Sequence, residues 1–228
     1  MREVVLDTET TGLDPLEGHR IIEIGCVELI DHYPTGNTYR TYLNPERLVS
    51  EDTLRITGIA DDLLADKPLF GAIVDELFAF LGDSPLVMHN ASFDLKFLNA
   101  ELHRIGRTPI PYARAIDTIE IAKAKLPGVR YSLDELCRRF GIDLSGRELH
   151  GALTDAELTA QVYLELAGGR QRALELAPID LGQNGVVEHL LVRPRPVPLA
   201  PLISAAEFEA HAAFVARELG SDPIWNWT

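Results

Sequence analysis

The chain has 228 residues, 46% of them apolar, with a formal net charge of −14; that is enough apolar material for one domain core plus appendages, and too much for wholesale disorder. No apolar run approaches the roughly 20 residues that cross a bilayer, and Asp7 and Glu9 follow Arg2 too closely for a signal peptide. The acidic balance argues against gripping long stretches of duplex by neutralising phosphates, but not against holding a strand end through metal ions. Glu3–Asp7 reads as a short apolar strand ending on a carboxylate, and Thr8 to Glu17 as a turn. Arg20–Leu29 is apolar and β-branched enough for a second strand, with Cys26 inside it. Thr38–Leu43 alternates aromatic with polar residues, as an exposed third strand does, and stops at Asn44-Pro45. Pro68–Leu81 has helical spacing through Phe70, Ile73, Val74, Leu77 and Leu81. A buried strand follows at Leu86–His89, then a helix from about Phe93 to Ile105, a short strand at Ala115–Asp117, and helices at Ile119–Lys125, Ser132–Phe140 and Thr154–Leu166. Three strands, then alternating helix and strand, predict an α/β domain that begins with an antiparallel meander. Cys26 and Cys137 both lie in apolar segments, which predicts buried thiols in a reducing cytoplasm.

Composition changes after Leu166. Gly168-Gly169 ends the last helix of a domain spanning 1–168, and 169–202 reads as a flexible linker carrying Pro178, Pro194, Pro196, Pro198 and Pro201. Ser204-Ala-Ala-Glu207 is a capping box that opens a terminal segment, 203–228. Its helix places Phe208, Ala212, Val215 and Leu219 on one face and stops at Gly220, before Ile224-Trp-Asn-Trp227. A lone amphipathic helix of this length is marginal in water. Its apolar face therefore predicts docking on a partner, the plainer alternative being packing against its own domain.

Asp7 and Glu9 are two residues apart at the end of a strand, so both side chains leave one face. Two adjacent carboxylates there repel and are costly to desolvate unless a cation joins them; the plainer alternative is a solvated turn. Asp94, in His89-Asn-Ala-Ser-Phe-Asp94, follows a buried strand at the start of a helix. His150 precedes Asp155 by five residues at another loop-to-helix junction. All sit at strand ends or helix starts, where side chains can converge. Oxygen ligands without a cysteine cluster favour Mg²⁺ or Mn²⁺ over zinc.

Val5-Leu-Asp-Thr-Glu-Thr-Thr-Gly12, His89–Asp94 and His150-Gly-Ala-Leu-Thr-Asp-Ala156 together, in this order, resemble the three motifs of the DEDDh exonuclease family. Glu17–Gly25, Gly58–Asp61, Ser132–Cys137 and the Gly-Gly-Arg-Gln turn resemble more narrowly the members that proofread for bacterial replicative DNA polymerases. The resemblance covers residues 1 to about 172 and continues more weakly beyond. It implies a ribonuclease-H-like fold, with a mixed five-stranded sheet flanked by helices, and removal of single nucleotides from DNA 3′ ends with two Mg²⁺ or Mn²⁺ ions. It also implies that Asp7 bridges the ions, that Glu9 and Asp155 complete the first site, that Asp94 orients the second, and that His150 is the general base. Paired ions about 4 Å apart activate water and stabilise the leaving oxygen, and imidazole accepts a proton near neutral pH. Thr10, Thr11 and Gly12 would receive the terminal nucleotide, with Leu13 against its base; turn chemistry alone is their plainer role. His89 and Phe93 line the strand-end pocket in this reading, and core packing explains Phe93 equally. Where the family commonly has His-Gly-Ile, this chain has Thr57-Gly58-Ile59, so a histidine contact to the nucleotide does not carry over, although Thr57 offers a hydroxyl; Asp52 opens the same segment as a further pocket candidate. Gln171, Leu174 and Leu176 resemble a sliding-clamp-binding peptide, and the C-terminal segment resembles an anchor to the polymerase catalytic subunit. Two other readings are a DEDDh exoribonuclease that trims RNA and a silent adaptor between polymerase and clamp.

Overall fold

The computed structural model describes residues 1–145, 149–169 and 204–218. The chain divides into two compact units, Met1–Leu174 and Glu175–Thr228. In the first, β1 (Arg2–Thr10), β2 (Ile21–Ile30) and β3 (Tyr33–Tyr42) form the expected antiparallel meander. Two short strands, β4 (Leu86–Met88) and β5 (Ala115–Asp117), add in parallel beside β1 to give a mixed five-stranded sheet in the order β3-β2-β1-β4-β5. The helices of this unit are α1 (Glu51–Thr57), α2 (Asp61–Leu64), α3 (Phe70–Leu81), α4 (Ala91–Arg104), α5 (Thr118–Lys125), α6 (Leu133–Phe140) and α7 (Ala152–Leu166). This is the ribonuclease-H-like architecture.

The alternation of β1 decides what each face of the sheet carries. Val4 and Leu6 point into a core completed by α3 and α4, with Phe97, Leu98 and Leu77 wholly buried. Val5 points the other way, onto Ala156, Ala160 and Tyr163 of α7. Glu3 lies on that second face too, accepting a hydrogen bond from the Tyr163 hydroxyl at 2.7 Å. Asp7 and Glu9 continue the same row, so they emerge toward the N-terminal end of α7. Cross-strand from them, Asp7 faces Gly25 and Glu9 faces Glu23 on β2. Gly25 is required here: an added Cβ would lie 2.2 Å from Leu153 N and 2.4 Å from Ala152 O. The missing side chain lets the first turn of α7 sit directly on the sheet.

The structure differs from the sequence reading in several boundaries. β1 runs three residues beyond Asp7, so the acidic pair lies within the strand, ending at an irregularity between Glu9 and Thr10. β3 begins at Tyr33, five residues earlier than expected. Helices α1 and α2 were not anticipated, because seven and four residues leave little room for a periodic apolar signal. The Ser50 side chain nonetheless caps α1 by accepting from Thr53 N. In the second unit the capping box is formed: Ser204 and Glu207 exchange side-chain and backbone hydrogen bonds of 2.8–3.3 Å, opening α8 (Ala205–Glu218). Leu219, Gly220, the tryptophans, most of the 169–202 linker and Gln171, Leu174 and Leu176 lie outside the described residues. Among the described residues no helix is long and apolar enough to cross a membrane.

Candidate active site

Four carboxylates and one imidazole reach the same end of the sheet by different routes. Asp7 and Glu9 come from β1. Asp155 comes from the first turn of α7, where its charge suits the helix N-terminus. Asp94 arrives from the opposite face, in the first turn of α4. It is tied to β1 by Thr8, whose hydroxyl donates to Asp94 Oδ1 at 2.7 Å, buried. His150 precedes α7, its backbone N–H donating to Ile56 O at 3.0 Å and its Nδ1 lying 3.1 Å from Asp155 Oδ2. Glu9, His150 and Asp155 each offer a ligand atom within 4.8 Å of the others.

The electrostatics follow from that crowding. Burial raises the Glu9 carboxyl to about 8, with Asp155, then Glu23 and Asp94, adding repulsion, and His150 opposing it. Burial likewise raises Asp94 to about 7, against the stabilising Thr8 hydrogen bond. Carboxylates held this uncomfortably fit a divalent cation, which supplies the opposite charge they lack. Oxygen donors with a single imidazole suit a hard ion. Glu9, His150 and Asp155 present ligand atoms that could hold it, with Asp7 lining the same cleft and Asp94 close enough to repel Glu9.

Two hollows flank this centre. A cleft of about 430 Å³ is lined by Asp7, His150 and Asp155 together with His89, Asn90, Ile119 and Ser132–Asp134. His89 is oriented by Thr118, its Nδ1 2.8 Å from the Thr118 hydroxyl. Asn90 takes a left-handed backbone conformation at the start of α4. Asp117 fixes that corner by accepting from Asn90 N, Ala91 N and Ile119 N at 2.8–3.2 Å. On the other side a smaller pocket, about 160 Å³, is lined by Thr8, Glu9, Thr10, Gly12, Leu13, Thr53, Ile56, Thr57 and Phe93. Leu13 is 82% exposed at its rim. Thr10 donates to Gly12 O, and Thr11 accepts from Arg20 N at 3.0 Å, so the turn is rigidly tied. Thr11 itself is buried, with His19 Nδ1 3.1 Å from its hydroxyl.

Four sequence expectations are placed differently. Thr11 is buried and does not line the small pocket, and His89 lines the larger cleft whereas Phe93 lines the small pocket. Asp52 lies outside the small pocket on the exposed face of α1, paired with Arg55 at 2.8 Å; the helical turn directs Thr53 and Ile56 inward instead. Thr57 does line the pocket, but its hydroxyl donates to Thr53 O at 2.9 Å and accepts from Ile59 N at 3.1 Å, closing the end of α1. Asn90, Ile119 and Ser132–Asp134 were not singled out as site residues. The helix-start signals around them were visible, but not that four such starts meet.

A family model for exonucleases (RNase_T) matches residues 4–163, and the chain belongs to this family. Relatives include the DNA polymerase III subunit epsilon of Rickettsia felis, 50% identical over 189 residues covering 82% of each chain. The Escherichia coli subunit epsilon is 45% identical over 177 residues, covering 74% of this chain and 72% of that one. At this identity and coverage the chain falls among the epsilon subunits. Among solved structures, Exonuclease X in complex with 5′ overhanging duplex DNA is 28% identical with a TM-score of 0.57, covering 72% of this chain and 89% of that one. The nuclease domain of 3′hExo, a DEDDh member bound to rAMP, shares the fold with a TM-score of 0.64 at 24% identity, over 75% of this chain and 94% of that one.

Proposed function

We propose that this chain is the proofreading 3′→5′ exonuclease of a replicative DNA polymerase, releasing 5′-nucleotides from DNA ends. The observation that carries the reading is the gathering of Asp7, Glu9, Asp155 and His150 at one sheet end, with Asp94 close enough to repel Glu9, in a chain half identical to epsilon subunits. The site takes two Mg²⁺ or Mn²⁺ ions, which when bound supply Lewis acidity to the scissile phosphate and the attacking water. Asp7, Glu9, Asp94 and Asp155 would hold the ions. His150 Nδ1 lies 3.1 Å from Asp155 Oδ2, which orients the imidazole that takes a proton from water. His150 is half exposed, so the proton passes on to solvent. The turn Thr10–Gly12 and Phe93 shape the pocket for the terminal nucleotide, and Leu13 covers its base. His89 and Asn90 line the cleft on the opposite side of the ions, where the preceding part of the strand enters.

The same reading assigns the second unit to tethering in the bacterial cytoplasm. Phe208 and Phe214 of α8 are each about half exposed, which suits a helix that docks on the polymerase catalytic subunit. Gln171, Leu174 and Leu176 would touch the sliding clamp. A tether keeps the nuclease at high effective concentration near the primer end, and its partners supply phosphate contacts that an acidic surface does not. Digestion of matched single-stranded DNA and RNA tests the substrate class. Release of mononucleotides from the 3′ end of the DNA is expected, and a strong RNA preference would contradict the assignment in favour of an RNA-trimming enzyme.

A further inference from the structure

We infer that Glu23 is a positioning residue: by capping α7 from the neighbouring strand it sets the gap between Glu9 and Asp155, and with it the affinity of the metal site they share. The inference rests on the metal-site reading above. Helix α7 begins after Gly151, which has no side chain to accept from the first-turn N–H groups, and no side-chain cap comes from within the helix. The acceptor is supplied from 129 positions away, where Glu23 Oε2 receives the Ala152 N–H at 3.1 Å in a buried setting. Glu23 is wholly buried and stands directly cross-strand from Glu9. One carboxylate thus touches both sides of the site: its strand neighbour is one ligand, and the turn it caps carries the other, three residues on.

The surroundings hold Glu23 in that pose. Its second oxygen, Oε1, accepts from Arg40 Nε at 2.6 Å, and the Arg40 guanidinium lies 4.9 Å from the centre of the Tyr42 ring, which it also meets by a hydrogen bond to the hydroxyl. Gly25, two residues along the same face of β2, lets the α7 backbone approach the sheet closely enough for the Glu23 carboxylate to reach it. The reach of the Glu23 side chain then fixes where the first turn sits. Residues that orient metal ligands typically alter metal affinity by about 10–100-fold when changed.

Two mild variants separate reach from charge. Glu23→Asp keeps the charge and the Arg40 pair but is one methylene short of Ala152 N. Glu23→Gln combined with Arg40→Gln keeps the reach and an acceptor oxygen while removing both charges, so the net charge beside the site is unchanged. Mn²⁺ alone is titrated into the full-length chain, read by electron paramagnetic resonance of the unbound ion, well below each variant's melting temperature. We expect Glu23→Asp to bind Mn²⁺ about tenfold or more weakly, and the double variant to stay within about threefold of wild type. A purely structural cap would lower the melting temperature of Glu23→Asp and leave its Mn²⁺ affinity unchanged. Wild-type affinity in Glu23→Asp, or a tenfold loss in the double variant, overturns the inference. Failure of the wild-type chain to bind Mn²⁺ would instead overturn the metal site itself.

Discussion

Replacing Glu9 by Gln should make the metal-free protein more stable while abolishing its turnover. Glu9 is raised from its ordinary 4.5 to about 8, chiefly by burial and then by Asp155. The folded state thus keeps a proton that the unfolded chain releases above about pH 4.5, so stability falls as pH climbs from there toward 8 and stays low beyond it. Taken at face value the shift sets a ceiling of about 5 kcal/mol. A Gln amide must also be desolvated and the site relaxes, so a gain of about 2 kcal/mol is the working figure, or about 4–8 °C in melting temperature for a domain of this size. The assay is thermal unfolding of both proteins in excess EDTA at about pH 5 and about pH 9. The two curves should lie close together at the lower pH and separate at the higher one, with the variant on top. Adding Mg²⁺ should raise the wild type at about pH 9 and leave Glu9→Gln nearly unmoved, because the cation now compensates the charge. A wild type equally stable at both pH values, with no advantage for Glu9→Gln, would refute the claim that burial and neighbouring carboxylates strain this residue.

Asp7→Ala should eliminate hydrolysis of single-stranded DNA while leaving circular dichroism and cooperative unfolding intact; turnover at the wild-type rate would contradict its place among the metal ligands. Leu13→Ala should raise KM for single-stranded DNA several-fold with a smaller effect on kcat, as expected of a side chain that contacts a base at an exposed rim; an unchanged KM would place the base elsewhere. Gly25→Ala should cost about 3 kcal/mol or more, since the new methyl group meets backbone that has no room to yield, and a melting temperature within about 2 °C of wild type would show that α7 does shift. Deleting 201–228 should leave turnover on single strands unchanged and abolish co-elution with the polymerase; co-elution that survives would remove α8 from the tether.

The legible parts of this molecule were those with local signatures. Asp94, His150 and Asp155 stand at junctions that turn and cap chemistry announces, whereas Asp7 and Glu9 lie within β1 and showed in the sequence only as a carboxylate pair after an apolar run. The sheet was readable because Val4–Leu6 and Arg20–Leu29 are apolar runs of strand length. What stayed hidden depends on contacts between distant segments. Helix α1 is too short to show periodicity, and without it the inward direction of Thr53 and Ile56, rather than Asp52, was invisible. The length of β1 beyond Asp7 comes from its pairing with β2, which continues to Thr10 opposite Ile21. Glu23 reads in sequence as an interruption of an apolar strand, and its partner Ala152 is an unremarkable alanine. Nothing near either residue reports the other.

The two thiols offer a use that chemistry alone would not suggest. Cys26 belongs to the core between the sheet and α3–α4, whereas Cys137 belongs to a separate cluster of α6 and α7; both are wholly enclosed, and burial pushes the Cys26 thiol well above the usual range. A thiol-reactive reagent meets either sulfur only when its own surroundings open. Their trapping rates under native conditions would therefore time two local openings independently, with no label introduced, and would reveal whether the corner carrying Asp155 breathes on its own or only with the whole domain.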